Sequence, residues 1–431
     1  MAPPSQITVL ATTISSCTAI VNEYFLKNKL PMPSFDISGP SRIIIPSHEK
    51  EVAAAYAEVL KATMELHHLM LGPTAALMGT SAMDSMSLQF IYAYDMVNTF
   101  PINGEATYQQ ISEKCGLNVI DTRRILGYAM TNHIFKEVRP GVVAHTAASK
   151  LLASDPLLTD YVGIVTEERF QAAAHTVEAV QKFGYAKEPN QTAIGTLKRL
   201  PVGYSIGHRT NKGLYEELSA HPSRGKRFAN AMCAFTSRND LSLLCERYDW
   251  KSLESATIVD VGGGYGPISI SLAKNFPYLN FIVQDFAGAI AEASAYVPAE
   301  ISDRINFMAY DMLTPQTVRN IDVIFFRAIF HNWTDHYCIK ILRNQIPALK
   351  KGSRLLIVEP LLVESGELPW HEERRLRTMN LNMLSYFGSR EKSMEDWKEL
   401  FREADERFEI KNAVKLGDSL TSILEVMWTG E

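Results

Sequence analysis

The stretch TIVDVGGGYGPISISLAKNFPYLNFIVQDF, Thr257 to Phe286, limits the folds open to this chain more than any other. Its apolar run Ile258 to Val261 reads as a buried strand. Glycines follow at 262, 263, 264 and 266, then a helical segment from Pro267 to Asn275 and a second apolar run, Phe281 to Val283, that ends at Asp285. Strand, glycine turn, helix, strand and terminal acid describe a βαβ nucleotide site, in which glycine lets the backbone approach a ligand where a Cβ would collide. The dinucleotide spacing G-x-G-x-x-G is not met, because the third position after Gly264 is Pro267. Asp260, at the end of the first strand, would repel a pyrophosphate but can pair with an α-amino group, and Asp285 can accept both hydroxyls of a ribose.

Beyond Phe286 the alternation continues. INFMAYDM, IDVIFFRAIF and SRLLIVEP read as strands, with a helix from Asp335 to Ala348 before the last. A long insertion over 363–390 precedes the helix SMEDWKELFREA and the strands FEIKNAVKL and SILEVMW. This pattern predicts an α/β fold with a doubly wound sheet, which binds ligands at the carboxyl ends of its strands. Asp260, Asp285, Asp311, His331 and Glu359 all fall at such ends and should share one crevice.

The amino-terminal half reads differently. Ile7 to Leu26 is an amphipathic helical segment, KLPMPSFDISGP a loop, and Glu49 to Met70 a helix ending at His67 and His68. From residue 84 to 150 a helix, then TYQQISEKCGLN, IDTRRILGYAMTNHIF and the hairpin EVRPGVVAHT make a winged helix-turn-helix pattern. Its second helix carries only Arg123 and Arg124, which argues against DNA binding and for a dimerisation role. Residues 151–245 read as mostly helical and as a pocket region, with His175, Met232, Phe235 and Arg238 as candidate substrate contacts. The expected division is an extension over 1–83, the winged-helix domain over 84–150, the helical region over 151–245 and a catalytic domain over 246–431.

Composition sets the remaining bounds. With a net charge of −5, no nucleic-acid or membrane surface is expected. Five cysteines without a C-x-x-C pair speak against a disulfide framework or a zinc centre and fit the cytoplasm. No window approaches eighteen uninterrupted apolar residues, so no membrane span is expected either.

The glycine loop is similar to the E/D-x-G-x-G loop of class I methyltransferases, which hold S-adenosylmethionine. DVGGGYG at 260–266, QDF at 284–286, YDM at 310–312, FHNWTD at 330–335, VEP at 358–360 and SREKS at 389–393 extend the likeness. From about residue 84 onward the chain resembles the plant and fungal O-methyltransferases of the caffeic-acid type. The resemblance implies a Rossmann-like catalytic domain, a homodimer formed through the amino-terminal domain and a small-molecule substrate bearing a hydroxyl. It makes His331 the general base, with Glu359 and Glu391 holding its imidazole. It gives Gly262 and Gly264 to the methionine part of the cofactor, Asp285 to the ribose, and Asp311 and Met312 to the adenine. Arg327 stands where the family usually has Lys, Asn332 follows the histidine in place of the usual Asp, and Asn380 also stands where Asp is common. No metal is implied. Some fungal proteins of this appearance keep the cofactor, transfer no methyl and act as pericyclases, with pocket residues such as His175 and Arg238 polarising a carbonyl. That reading and a winged-helix DNA regulator are the alternatives to methyl transfer.

Overall fold

The computed structural model describes residues 4–431 apart from 47, 79–80, 184–202, 239–240 and 417–419. The side chains of Phe235 and Arg238 also lie outside the described residues. The chain divides into two compact units. The first comprises Met1–Gln171, Leu218–Phe235 and Pro369–His371; the second comprises Ala172–Glu217, Thr236–Leu368 and Glu372–Glu431.

In the first unit a helix over Gln6–Lys27, capped by the Ser5 hydroxyl, packs along a second over Lys50–Met78. Gln6–Lys27 is long and apolar enough to cross a membrane by length and composition, with a mean hydropathy of 1.2, although Ser and Thr interrupt its apolar run. Within Lys50–Met78 helical geometry breaks at Gly72, just before Pro73, with a φ of 73° that only glycine adopts readily, so the first part of this span ends close to the expected Met70. His67 and His68 therefore lie near the end of that first part, as expected. The helices Met83–Ala93, Tyr108–Cys115 and Val119–Thr131 follow. Strands β1 (Glu105–Thr107), β2 (Lys136–Arg139) and β3 (Val142–Ala144) form a small sheet in the order β1-β3-β2. The expected hairpin is β2–β3, and β1 adds a third strand to it. Ile91, Phe100, Ile111, Leu126, Phe135 and Val143 fill the core beneath. In the same unit a six-residue π-helical stretch, Ile164–Arg169, buries Glu168, whose carboxylate accepts from Arg224 (3.0 and 2.6 Å) and Arg227 (2.9 Å).

The second unit is built on β4 (Thr257–Val261), β5 (Asn280–Asp285), β6 (Ile305–Ala309), β7 (Ile321–Arg327), β8 (Leu349–Leu362), β9 (Lys392–Ser393), β10 (Phe408–Lys415) and β11 (Thr421–Trp428). The order is β10-β11-β8-β7-β4-β5-β6, with the short β9 beside β8. β4 pairs in parallel with both β5 and β7, so the connections reverse direction at β4 and open a crevice there. The central strands carry apolar runs on both faces because both are covered: Val259, Ile324, Phe326, Leu355 and Ile357 are all 0 % exposed. Pro267 opens the helix Pro267–Asn275, where a missing N–H costs nothing, and Ile268 and Leu272 pack onto the sheet. Met394–Ala404 begins with a Ser393–Asp396 capping box and buries Trp397, Leu400, Phe401 and Ala404, one face of a helix. Much of the expected insertion over 363–390 is in fact one helix, Trp370–Phe387.

A buried amide network supports the tips of β5 and β6. Gln284, Gln316 and Gln345 are all 0 % exposed. Gln284 and Gln316 exchange two hydrogen bonds (2.9 and 2.8 Å), Gln316 donates to Gln345 (3.2 Å), and Gln345 donates to the Tyr310 hydroxyl (3.3 Å). Gln284 immediately precedes Asp285, and Tyr310 immediately precedes Asp311. Gln316→Leu would strip partners from two buried amides, a loss of about 2–4 kcal/mol. The expected result is a thermal unfolding midpoint several degrees lower; an unchanged midpoint would contradict this account of the network.

Candidate active site

The site begins where β7 ends. Ala328 follows Arg327 with a φ of 55°, a left-handed conformation that turns the chain abruptly out of the sheet. Two hydrogen bonds hold the turn: the Ala328 amide donates to the Val358 carbonyl (3.1 Å), and the Asn332 side chain donates to the Ala328 carbonyl (3.0 Å). Asn332 thus has a structural task that an amide performs directly. The tight turn Phe330–Asn332 that follows presents His331, whose side chain is 12 % exposed.

Two carboxylates face one edge of the His331 ring. Glu391 Oε1 lies 3.1 Å from Nδ1 and Glu359 Oε2 lies 3.6 Å from it. Glu359 comes from β8, and its other oxygen accepts from the amides of Ile329 and Phe330 (2.7 and 2.8 Å), so it braces the turn and the ring together. Glu391 precedes β9, and its amide donates to the Asn380 side chain (2.9 Å) on the helix Trp370–Phe387. Nε2 makes no hydrogen bond among the described residues, so the nitrogen able to take a proton points away from the acids. Burial opposes charge on the ring, but the Glu359 charge and the Glu391 hydrogen bond outweigh it and raise its proton affinity. Burial likewise raises the pKa of Glu359, with the charge on His331 working against it. The donor atoms of His331, Glu359 and Glu391 lie within 4.8 Å of one another, close enough for a metal trio, although Glu359 also serves two amides and Nδ1 faces Glu391.

The glycine loop is fitted to this turn. A Cβ on Gly262 would lie 2.4 Å from Ile329 Cδ1, and its φ is 76°, so space and backbone both require glycine. A Cβ on Gly263 would lie 2.7 Å from Asp260 Cγ and equally close to Val283. A Cβ on Gly264 would meet nothing within 4 Å, leaving room beside the loop. Asp260 is buried and accepts from the Ser269 hydroxyl (2.6 Å). Burial pushes its pKa up to about 6, against the pull of Ser269 and Arg327. Asp285 accepts from Gly264 N (3.0 Å) through one oxygen and from Phe286 N (2.7 Å) through the other. Each oxygen keeps a lone pair for a further donor. Asp311 is exposed and accepts from Leu313 N (2.9 Å), while Met312 is half-buried with its methyl near Gly262. Burial lowers the pKa of Arg327, which the charges of Asp260 and Glu359 oppose. Its guanidinium makes no hydrogen bond or ion pair among the described residues. These groups suit S-adenosylmethionine: acids for its amine and ribose, an arginine for its carboxylate, and room beside glycine for its chain.

The candidates outside this cluster have other settings. His175 is half-exposed and lies 3.2 Å from Glu178, one helical turn away, with no contact to the His331 cluster among the described residues. Met232 is half-buried on the helix Pro222–Arg238, in the first unit. Residues outside the candidate set also shape the site. Ser269 holds Asp260, Ser389 donates to the His331 carbonyl (2.5 Å), and the buried Lys392 donates to carbonyls of the same turn. Ser389 and Lys392 stand in the motif SREKS, but nothing in that motif distinguishes them from surface residues.

Comparison with known proteins identifies the family and the fold. A family profile described as the O-methyltransferase domain matches residues 204–406. The chain is 38 % identical over 438 residues to O-methyltransferase pyvH of Aspergillus violaceofuscus, covering 99 % of each chain. It is 31 % identical over 432 residues to a chlorophenol O-methyltransferase of Trichoderma longibrachiatum, covering 98 % of this chain and 90 % of the relative. Among solved structures, OxaC in complex with SAH and oxaline superposes with a TM-score of 0.76 at 19 % identity, over 98 % of this chain and 100 % of that one. A structure described as a pericyclic reaction enzyme superposes at 0.71 and 19 % identity, over 97 % of this chain and 100 % of that one. The structural likenesses establish the fold, and the sequence relatives establish more: this chain belongs to the O-methyltransferase family.

Proposed function

We propose that the protein transfers the methyl group of S-adenosylmethionine to a hydroxyl of an aromatic or polyketide-type small molecule, with His331 as the general base. The observation that carries this reading is the orientation of His331: both acids address Nδ1, and Nε2 has no hydrogen-bond partner among the described residues. A phenol is largely protonated at neutral pH and is then a weak nucleophile. Nε2 would accept its proton during attack, and Glu359 and Glu391 would stabilise the imidazolium that forms. When bound, the cofactor supplies an electrophilic methyl on a sulfonium. Asp285 would hold its ribose, Gly262 and Gly264 its methionine chain, Asp260 its amine, Arg327 its carboxylate, and Asp311 and Met312 its adenine. The turn at Ala328 brings base and glycine loop into contact through Ile329 and Gly262, which favours alignment of the attacking oxygen with the methyl. The relative named for chlorophenol supports an acidic aromatic hydroxyl as the acceptor. By family resemblance, the protein is proposed to work as a homodimer through its amino-terminal elements, in the cytoplasm.

The test is incubation with methyl-labelled S-adenosylmethionine and a panel of phenols, including para-chlorophenol, followed by mass spectrometry. Label in an ether methyl is the expected result. Label that stays on the cofactor while an acceptor isomerises or dehydrates would contradict methyl transfer and support the pericyclase reading instead.

A further inference from the structure

A lysine that is 1 % exposed needs a physical explanation, because lysine is almost never fully buried without a partner. Lys392 has no carboxylate within ion-pair distance among the described residues. Its Nζ instead donates to three backbone carbonyls: Phe330 at 3.0 Å, Arg390 at 3.3 Å and Trp333 at 3.4 Å. All three of its N–H groups are thereby used. Phe330 immediately precedes His331, Trp333 lies two residues beyond it, and Arg390 immediately precedes Glu391. One ammonium therefore ties both sides of the turn carrying His331 to the segment carrying its acidic neighbour.

We propose that Lys392 is a positioning residue for the reaction, fixing the His331 turn against Glu391 and supplying the positive charge that balances the two carboxylates at the ring. This inference rests on the reading of His331 as the base. The need for such a balance follows from the surroundings. Glu359 from β8 and Glu391 both favour the charged ring, and a histidine held protonated cannot accept a proton. Arg327, at the end of β7, acts on Glu359 rather than on the ring. From the helix Asp335–Gln345 come Asp335 and Cys338; burial pushes the thiol of Cys338 up to about 12, so it stays neutral. Cys338 also donates to the Phe330 and Trp333 carbonyls (3.4 Å each), a weak echo of the lysine contacts. Of the groups around the ring, Lys392 is the one whose charge lowers the proton affinity of His331. Its position in a polar stretch of sequence belongs to this role: β9 pairs with β8 just after Glu359 and so carries the side chain inward beneath the turn.

The test uses the full-length protein with carbon-13 at histidine Cε1, and the His331 resonance identified by its loss in H331Q. Its titration midpoint is compared in wild type, K392Q and K392R. K392Q keeps a donor for the turn but no charge, and the midpoint is expected to rise by about one pH unit. K392R keeps the charge, and its midpoint should remain near that of wild type. With S-adenosylmethionine and para-chlorophenol, K392Q should lose kcat on the order of 10- to 100-fold with little change in cofactor affinity, and the acid limb of its pH profile should move to higher pH. A folded K392Q with an unmoved midpoint would overturn the proposal, as would wild-type kcat. Should K392Q not fold, a K392R midpoint displaced upward by as much as a neutral residue would predict would overturn it on its own. The base reading fails separately, if H331A transfers methyl at the wild-type rate.

Discussion

His331→Ala is expected to lower kcat for methyl transfer by about 10²- to 10⁴-fold while cofactor affinity stays within about twofold. The large effect follows from the acceptor's chemistry, since without a base at Nε2 the hydroxyl must attack while still protonated. The small effect on affinity follows from position: His331 lies in the turn after β7, whereas the groups proposed to hold the cofactor lie at the ends of β4, β5, β6 and β7. The same account sets the pH profile. The base works only when deprotonated, and its neighbours raise its proton affinity above the ordinary value of 6.5. Activity should therefore fall with decreasing pH along a limb centred above 6.5. In Glu359→Gln the limb should move down, because a carboxylate that favours the charged ring is lost. Stopped assays across pH check both statements. An alanine variant with wild-type kcat, or a limb that moves up in Glu359→Gln, would contradict the assigned roles.

The second large effect concerns the cofactor. Asp285→Ala is expected to weaken S-adenosylmethionine binding by about 10²- to 10³-fold, corresponding to two charge-assisted hydrogen bonds to the ribose. The carboxylate also organises the loop, because it accepts from Gly264 N and Phe286 N, so its loss loosens the binding surface as well. Asp285→Asn keeps the shape and one acceptor and should fall between alanine and wild type. Isothermal titration with both S-adenosylmethionine and S-adenosylhomocysteine reads the effect, and the loss should be similar for the two because the ribose is common to both. Unchanged affinity would mean that the ribose lies elsewhere.

What could be read in the sequence follows a physical rule. Asp260, Asp285, Asp311, His331 and Glu359 each interrupt or end an apolar run, and the parallel sheet brings the ends of such runs to one edge. Glu391 was accessible only through family resemblance, because it belongs to no long periodic element. Lys392 gave no signal at all: in SREKS it looks like a solvated lysine, and its burial depends on carbonyls some sixty residues earlier in the chain. The turn at Ala328 was equally hidden, since no glycine or asparagine marks its left-handed conformation. The charged run HEERRLR disguised the start of the helix Trp370–Phe387, and β1 is too short, at three residues, to show a period. The alanines around His175 give it an apolar setting in the sequence, yet Glu178 three residues on provides a local partner. Phe235 and Arg238 fall outside the described residues.

The central claim is that the crevice at the strand ends transfers a methyl group rather than only holding its donor. The most direct measurement counts S-adenosylhomocysteine formed per molecule of product, with the purified full-length protein and an acceptor that it converts. One S-adenosylhomocysteine per product, with both lost together in H331A, is the predicted result. Product accumulating over many turnovers while S-adenosylmethionine remains intact would contradict the claim.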